Sequence, residues 1–241
     1  MRCGGARVVA GLRRVLAMVM ACSALVGCTT AGQLLFTLVP DGTIPLLLSH
    51  LERESDTNRR RVAELERSAD WPGLAKFADE NIAKAPSNAS WWLVAGYAYS
   101  RQKNHDRAMA CFREMIRLEP DAPDGWNLLA QEHRIRGEPQ RAVEVLNQAL
   151  TAQRDSAVML TLLGESYSDL SRFEPAARAY RQALDIDAGL LPAWAGLARA
   201  HIRLGRVAEA ESIARSLEKT SPQLAAAIRD EVLTAASRQP K

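Results

Sequence analysis

The chain has 241 residues, of which 24% are charged and 5% are aromatic, a composition that suits a folded helical protein rather than a disordered one. Its formal net charge of +3 arises in residues 1–27, which hold four arginines and no acidic residue. The rest of the chain has 27 basic and 28 acidic residues. It lacks the basic excess that nucleic-acid binding requires, so we expect no nucleic-acid partner.

The first 27 residues have the pattern of a signal peptide. Residues 1–14 are basic, and residues 15–27 form an apolar run of 13 residues, too short to span a bilayer comfortably. The run ends in Leu25-Val26-Gly27-Cys28, which resembles the lipobox of bacterial lipoproteins. That resemblance implies cleavage before Cys28 and acylation of its thiol, and several acyl chains would give a stable membrane anchor.

The residue after the cysteine bears on the location. Thr29 stands there rather than Asp, and in Gram-negative lipoproteins the lack of Asp implies transfer to the outer membrane. We therefore expect a lipid-anchored protein on the periplasmic face of the bacterial outer membrane. An ordinary secretory signal with a coincidental cysteine is the alternative.

Residues 28–50 form a connector that is more apolar than a lipoprotein tether usually is. Two apolar stretches, 34–39 and 44–48, flank the turn signal Pro40-Asp41-Gly42. One interpretation is a short interfacial segment that lies against the membrane. The other is a cap that packs on the first helices, which is favoured because exposed apolar runs invite aggregation. The sequence leaves both open.

A repeat of 34 residues organises the rest of the chain, in units 89–122, 123–156, 157–190 and 191–224. A fixed period of this length indicates a repeat architecture. The markers are Trp92, Gly96, Tyr99, Ala108, Phe112 and Pro120, then Trp126, Ala130, His133, Ala142, Leu146 and Arg154, then Leu160, Gly164, Tyr167, Ala176, Tyr180 and Ala188, then Trp194, Ala198, His201, Ala210, Ala214 and Pro222.

The first unit resembles the tetratricopeptide repeat, with Trp92-x-x-Ala95-Gly96-x-x-Tyr99, then Ala108-x-x-x-Phe112, and then Pro120. Only Ala95 departs from the family's string, which prefers Leu there. The resemblance implies an all-α fold, a right-handed α-solenoid of antiparallel helix pairs. The residues agree, because the small side chains at the eighth and twentieth positions let two helices approach closely. Gly137 and Gly205 fall between paired helices, where a positive φ is wanted.

Two further elements flank the four units. Residues 51–88 read as a degenerate first helix pair, because residues 71–84 have helical spacing and Pro86 lies 34 residues before Pro120. We expect Trp91, which has no periodic counterpart, to pack on this pair. Residues 223–238 read as a capping helix at the end of the solenoid.

No catalytic or metal-binding pattern is present in the sequence. His133 and His201 replace Tyr at one repeat position, but two units separate them, too far to share a metal ion. No cysteine pair has zinc spacing, and no Gly-rich phosphate loop or nucleophile elbow occurs. Cys111 is expected to be a buried, inert thiol. We therefore expect no enzyme activity, no cofactor, no metal and no small-molecule substrate.

The resemblance places partner binding in the inner groove of the solenoid, which the family lines with repeat positions 2, 5, 9, 12 and 13. Amides, both charges and a tyrosine suit an extended peptide. Leu93 and Tyr97 stand where some family members carry Lys and Asn to clamp a chaperone's C-terminal carboxylate, so chaperone-tail binding is not expected. We expect the side chains of Asn127, Gln131, Arg134 and Arg199 to face solvent in the free protein. The groove candidates are Tyr97, Arg101, Asn127, Gln131, Arg134, Glu165, Arg199 and Arg203.

A lipobox followed by a short array of these repeats resembles the lipoproteins that assist pilus assembly. The sequence thus predicts an outer-membrane-anchored periplasmic scaffold for protein–protein interactions in the assembly of an envelope machine, such as a pilus or secretion system. The alternative is an adaptor that holds or regulates a cell-wall enzyme.

Overall fold

The computed structural model describes residues 49–52, 54–152 and 156–237. These residues form eleven α-helices and no strand. The signal peptide, Cys28 and the connector up to residue 48 lie outside the described residues. The helices are α1 Asp56–Arg67, α2 Trp71–Lys84, α3 Ala89–Arg101, α4 His105–Leu118, α5 Pro123–Ile135, α6 Pro139–Ala152, α7 Ala157–Asp169, α8 Phe173–Ile186, α9 Leu191–Arg203, α10 Val207–Leu217 and α11 Pro222–Ser237.

The helices confirm the predicted all-α solenoid. Each helix packs on the helix that follows it, and the first helices of successive units, α5, α7 and α9, also pack side by side. At the end, α11 packs on both α9 and α10 and buries Ala225, Ile228 and Val232. Across the described residues, no helix combines the length and apolar character that crossing a membrane needs.

The same turn ends the first helix of all five pairs. Its left-handed residue has a φ between 54° and 79°. The next residue donates its N–H to the carbonyl five residues earlier, at 2.8–2.9 Å, which is the bond of a Schellman motif. Only two of the five residues are glycines. The left-handed residues, each 34 after the last, are Ala69, Lys103, Gly137, Ser171 and Gly205.

Paired helices are matched in side-chain size where they cross. In the first and third units, an aromatic ring meets a glycine: a Cβ on Gly96 would lie 2.4 Å from Cε1 of Phe112, and one on Gly164 would lie 2.7 Å from Cδ1 of Tyr180. In the second unit, Ala130 and Leu146 are both fully buried in one apolar cluster. In the first and third units the aromatic ring fills the space that the glycine leaves, as close packing requires.

Tryptophans at the fourth repeat position join successive units. In three units the indole N–H donates, at 2.9 Å, to the carbonyl six residues earlier, in the loop that closes the preceding unit. Since these indoles lie at the edge of the core, the bond satisfies their polar atom while the ring packs. The pairs are Trp92 with Pro86, Trp126 with Pro120, and Trp194 with Ala188.

At the eighth and twentieth repeat positions the other pairs have Gly or Ala, whereas the first helix pair has Val62 and Leu74, both fully buried. The predicted packing of Trp91 on this pair is confirmed. Its ring meets Phe77 edge-on at 5.6 Å, and its indole N–H donates to Glu54 at 3.1 Å. Trp91 is thus a core residue that fixes the pair to α3.

Candidate partner-binding groove

The groove face is the surface formed by repeat positions 2, 5, 9, 12 and 13 of α3, α5, α7 and α9. A cleft of about 660 Å³ opens on this face between α5, α7 and α9. Its floor is made of the small residues Ala195, Gly196 and Ala200. Five sequence-predicted candidates line this cleft, and they are Gln131, Arg134, Glu165, Arg199 and Arg203.

Arg134 is the most fully paired cation of the cleft. Its guanidinium donates to Glu165, and to Asp169 at 2.8 Å, both from the next unit. Burial alone would lower the pKa of Arg134, but the two carboxylates hold it above its ordinary value. Burial raises the pKa of Glu165, although Arg134 opposes that shift. This triad joins α5 to α7, so Arg134 is not a free donor for a partner.

The two arginines of α9 are more available. Arg199 pairs with Glu231 of α11 at 3.0 Å, but 61% of its side chain stays exposed. The guanidinium of Arg203 lies over the ring of Phe173, 4.7 Å from its centroid. In the described part of the chain, Arg203 has no carboxylate within salt-bridge distance. Stacking of this kind orients a guanidinium while leaving its N–H donors free.

Two amide side chains of α5 each have a buried oxygen that lacks a hydrogen-bond partner. Asn127 is only 9% exposed, and neither its Oδ1 nor the buried Oε1 of Gln131 has a partner among the described residues. An unsatisfied buried acceptor costs about 1–3 kcal/mol, so such atoms in a native structure call for an explanation. They lie one turn apart on α5, and of the two Gln131 lines the cleft, where a rotation of its side chain would bring its amide to a bound chain.

The expectation of solvent exposure is wrong for Asn127, and Tyr97 is buried as well. Tyr97 is 7% exposed, and its ring meets Trp71 edge-on at 5.7 Å. Arg101 lies over the same Trp71 ring, 4.7 Å from its centroid. Trp71 belongs to the first helix pair, which therefore covers this end of the groove face. Whether the remaining candidates bind a partner stays a prediction.

Sequence reasoning missed the residues that lie across the start of the groove face. Nε2 of His50 is 3.0 Å from Oδ2 of Asp124, on α5. The hydroxyl of Ser90, on α3, donates to the carbonyl of His50 at 2.7 Å, and the next side chain, Leu51, is fully buried. The hydrogen bond to Asp124 raises the pKa of His50 above its ordinary value, although burial opposes the shift. The favoured cap interpretation placed the connector on the first helices, but it did not identify His50 or Asp124.

The other titratable groups of the interior tie helices together. The carboxylate of Glu132, 2% exposed, accepts from Ser100 at 2.7 Å and lies 2.6 Å from Nδ1 of His105. His133 is buried with Nδ1 2.8 Å from Glu138. Burial raises the pKa of Cys111 to about 12, so its thiol stays protonated. No group of three metal-ligating side chains occurs within residues 49–52, 54–152 and 156–237.

Comparison with known sequences finds matches within the helical part of the chain. Two profiles, both described as "Tetratricopeptide repeat", match residues 89–132 and 169–230. Protein bimA of Emericella nidulans is 24% identical over 155 residues, which are 64% of this chain and 15% of that protein. The chain spans only 8% to 15% of the length of the first curated relatives it matches. These two ranges of the chain thus match the tetratricopeptide repeat.

Two solved structures share the fold of this chain at low sequence identity. PilW, described as a widely conserved type IV pilus biogenesis factor, has a TM-score of 0.63 at 18% identity, covering 76% of this chain and 86% of its own. YrrB, described as a TPR protein with an unusual peptide-binding site, has a TM-score of 0.54 at 14% identity, covering 76% and 97%. At such identities the likeness concerns the fold alone.

Proposed function

We propose that this chain is a lipid-anchored scaffold on the periplasmic face of the bacterial outer membrane, whose groove face holds an extended segment of another envelope protein. In this function it takes part in the assembly of a machine such as a pilus or secretion system. The observation that carries the proposal is the open cleft of the groove face, which is lined by Gln131, Arg199 and Arg203.

The chemistry of the groove face favours a peptide backbone as ligand. An extended chain presents N–H groups at regular intervals, and an amide side chain can accept from one while donating to a carbonyl. Arg203 adds a donor fork for an acidic side chain of the bound segment, since no carboxylate in the described residues occupies it. Such contacts fix a chain without requiring a catalytic group.

Two observations support the envelope location. The string Leu25-Val26-Gly27-Cys28 follows a basic start and an apolar run, which is typical of lipoprotein signals. PilW, a fold relative, is described as a pilus biogenesis factor, and YrrB is described as having a peptide-binding site. Neither relative is similar enough in sequence to transfer its role, so partner capture has to test the proposal.

The test is a periplasmic cross-linking pull-down with the full-length lipoprotein. Gln131→Ala combined with Arg203→Ala should reduce partner recovery by about fivefold or more, as expected for losing contacts worth about 1–3 kcal/mol. Thermal melting should change little, because Gln131 Oε1 makes no hydrogen bond in the free protein. The matched control is Arg113→Ala with Gln148→Ala, on α4 and α6, which line a separate cleft.

Full recovery with the Gln131 and Arg203 variant would contradict groove binding, and a loss with the control variant would move the site to α4 and α6. The identity of the captured protein tests the role. Pilus or secretion components support the assembly function, whereas a peptidoglycan enzyme would replace it with an adaptor for cell-wall synthesis.

A further inference from the structure

We propose that the segment held in the groove face is acidic, with two carboxylates one residue apart that bind Arg199 and Arg203 of α9. In the free protein, Glu231 of α11 already pairs with one of these arginines, so it competes with the segment and lowers the affinity for it. This partner chemistry deepens the proposed function and rests on it.

The charges of the cleft are unevenly placed on its α7 and α9 walls. On the α7 wall, Glu165 and Asp169 both accept from the single guanidinium of Arg134, so this wall keeps an excess of negative charge. On the α9 wall, the charged residues that line the cleft are Arg199 and Arg203. A bound carboxylate is therefore stabilised on the α9 side of the cleft and repelled on the α7 side.

Both arginines of the α9 wall keep N–H donors for a ligand. The guanidinium of Arg203 stacks on Phe173 and meets no carboxylate among the described residues. Arg199 donates through Nε, which is 3.0 and 3.3 Å from the two carboxylate oxygens of Glu231. Within the described part of the chain, the two terminal nitrogens of Arg199 donate to no acceptor. Each guanidinium can thus still offer paired N–H groups to a carboxylate.

The carboxylate that the chain itself places on Arg199 is only loosely held. Glu231 does not line the cleft, and 40% of its side chain is exposed. Exposed ion pairs contribute little to stability, because water screens them, so a ligand can displace Glu231 or bind beside it. In either case the negative charge of Glu231 lies next to the incoming carboxylate and opposes its binding.

The spacing of the two arginines selects the spacing of the ligand's carboxylates. Arg199 and Arg203 lie one helical turn apart, about 6 Å along α9. Side chains on one face of an extended chain are two residues apart, which is ~6.6 Å. Two acidic residues with one residue between them therefore match the arginines. The intervening side chain points to the α7 wall, and since that wall is acidic, this residue must be neutral or basic.

The floor of the cleft lets a backbone approach α9 closely. Ala195, Gly196 and Ala200 lie beside the arginines and carry no side-chain atom beyond Cβ. The lining of α9 begins at Pro192 and ends at Arg203, ~16 Å along the helix, which is the length of about five extended residues. A short acidic segment can thus lie along α9 with its backbone over the small residues.

The test measures the binding of two synthetic peptides to the full-length lipoprotein in detergent micelles, by microscale thermophoresis with peptide titrated into the millimolar range. One peptide carries Asp-Ser-Asp between glycine–serine flanks. The matched control peptide carries Asp-Asp-Ser and has the same composition and charge. The first should bind about fivefold more tightly, because only it directs both carboxylates to α9. In Arg203→Ala this preference should be lost, since one arginine remains.

Glu231→Gln tests the competition. It should raise the affinity for the Asp-Ser-Asp peptide by about threefold to fivefold, because it removes a negative charge beside Arg199, and added salt should reduce this gain. The matched control is Glu211→Gln, which changes the net charge equally and also removes a contact to α11, the one with Arg229. Arg229 does not line the cleft, so this control should leave the affinity unchanged.

Equal affinity of the two peptides for the wild type would overturn the inference, and so would an affinity that Glu231→Gln leaves unchanged or lowers. Cooperative thermal melting of each variant excludes loss of folding as the cause. The peptides are synthetic, so the result does not depend on partner capture. Peptide discrimination without a captured envelope protein would overturn only the proposed function, whereas a partner captured through the groove face without peptide discrimination would overturn only this inference.

Discussion

A Cβ atom on Gly196 would lie 2.3 Å from Cζ of Tyr180. The tyrosine extends from α8 and fits between Gly164 of α7 and Gly196 of α9. Its hydroxyl lies 3.4 Å from Ser168 Oγ, and both residues line the cleft. The ring therefore joins the third and fourth units and forms the inner wall of the candidate site. Burial raises the pKa of Tyr180, so the hydroxyl stays neutral.

Gly196→Ala should destabilise the protein by about 1–3 kcal/mol, because the added methyl group overlaps a buried ring that cannot move aside. Urea unfolding, followed by circular dichroism, measures the change. In a Tyr180→Leu background, Gly196→Ala should lower the free energy of unfolding by less than it does in the wild type, since the smaller side chain leaves room for the methyl group. Equal stability of Gly196→Ala and the wild type would show that α8 and α9 are not in this contact.

Substitutions in the five equivalent turns are expected to change the free energy of unfolding in opposite directions. Gly137→Ala should cost roughly 1 kcal/mol, because an L-residue with positive φ is strained. Ser171→Gly should instead be neutral or stabilise the protein by up to about 1 kcal/mol. The change relieves the strain at φ 57°, and the extra entropy that glycine loses on folding offsets part of that gain. Free energies of unfolding from urea titrations would check both, and a destabilising Ser171→Gly would contradict the turn geometry.

The contact between His50 and Asp124 predicts a pH dependence. The pKa of His50 is raised in the folded protein above 6.5, first through its hydrogen bond to Asp124 and further by the nearby charge of Glu119. A raised folded pKa contributes stability that is fully present below the unfolded pKa and is lost as the pH rises through the folded pKa. The stability difference between wild type and His50→Gln should therefore be largest below pH 6.5 and shrink as the pH rises through the raised pKa of His50.

NMR titration of the imidazole provides the direct measurement. Asp124→Asn should lower the pKa of His50 towards its ordinary value, because it removes the nearest negative charge. Glu64→Gln, an exposed change elsewhere on α1, is the matched control and should leave that pKa unchanged. A His50 pKa that does not respond to Asp124→Asn would show that residues 49–52 do not dock at α5.

The lipid anchor is tested by Cys28→Ser. The change removes the thiol that receives the acyl group in lipoproteins, so palmitate labelling should be abolished. The variant should also leave the membrane fraction, because acyl chains contribute about 0.8 kcal/mol per buried methylene group. Fractionation after metabolic labelling measures both. Labelling that persists in the variant would contradict the lipoprotein interpretation, whereas Cys111→Ser, the matched control, should leave labelling unchanged.

The sequence by itself determined the period, the helix pairs and the small positions where they cross. These features follow from local spacing, since a residue every 34 positions meets the same neighbours in a stacked array. Gly137 and Gly205 also indicated turns at their positions, because glycine is the usual residue at positive φ. The residue types of Ala69, Lys103 and Ser171 did not indicate a turn with positive φ. The packing of the helices before and after them imposes the same turn on residues that do not favour it.

Only the tertiary structure decided which groove positions are available. Tyr97 stands at a groove position, yet Trp71 of the preceding pair covers it. Arg134 is neutralised by carboxylates from the next unit, while Arg203 is oriented by Phe173 and left without one in the described residues. The docking of His50 on Asp124 joins residues 74 positions apart in the sequence. Such contacts depend on which surfaces of separate helices meet, and a repeat pattern specifies the stacking of units without specifying the side chains that differ between them.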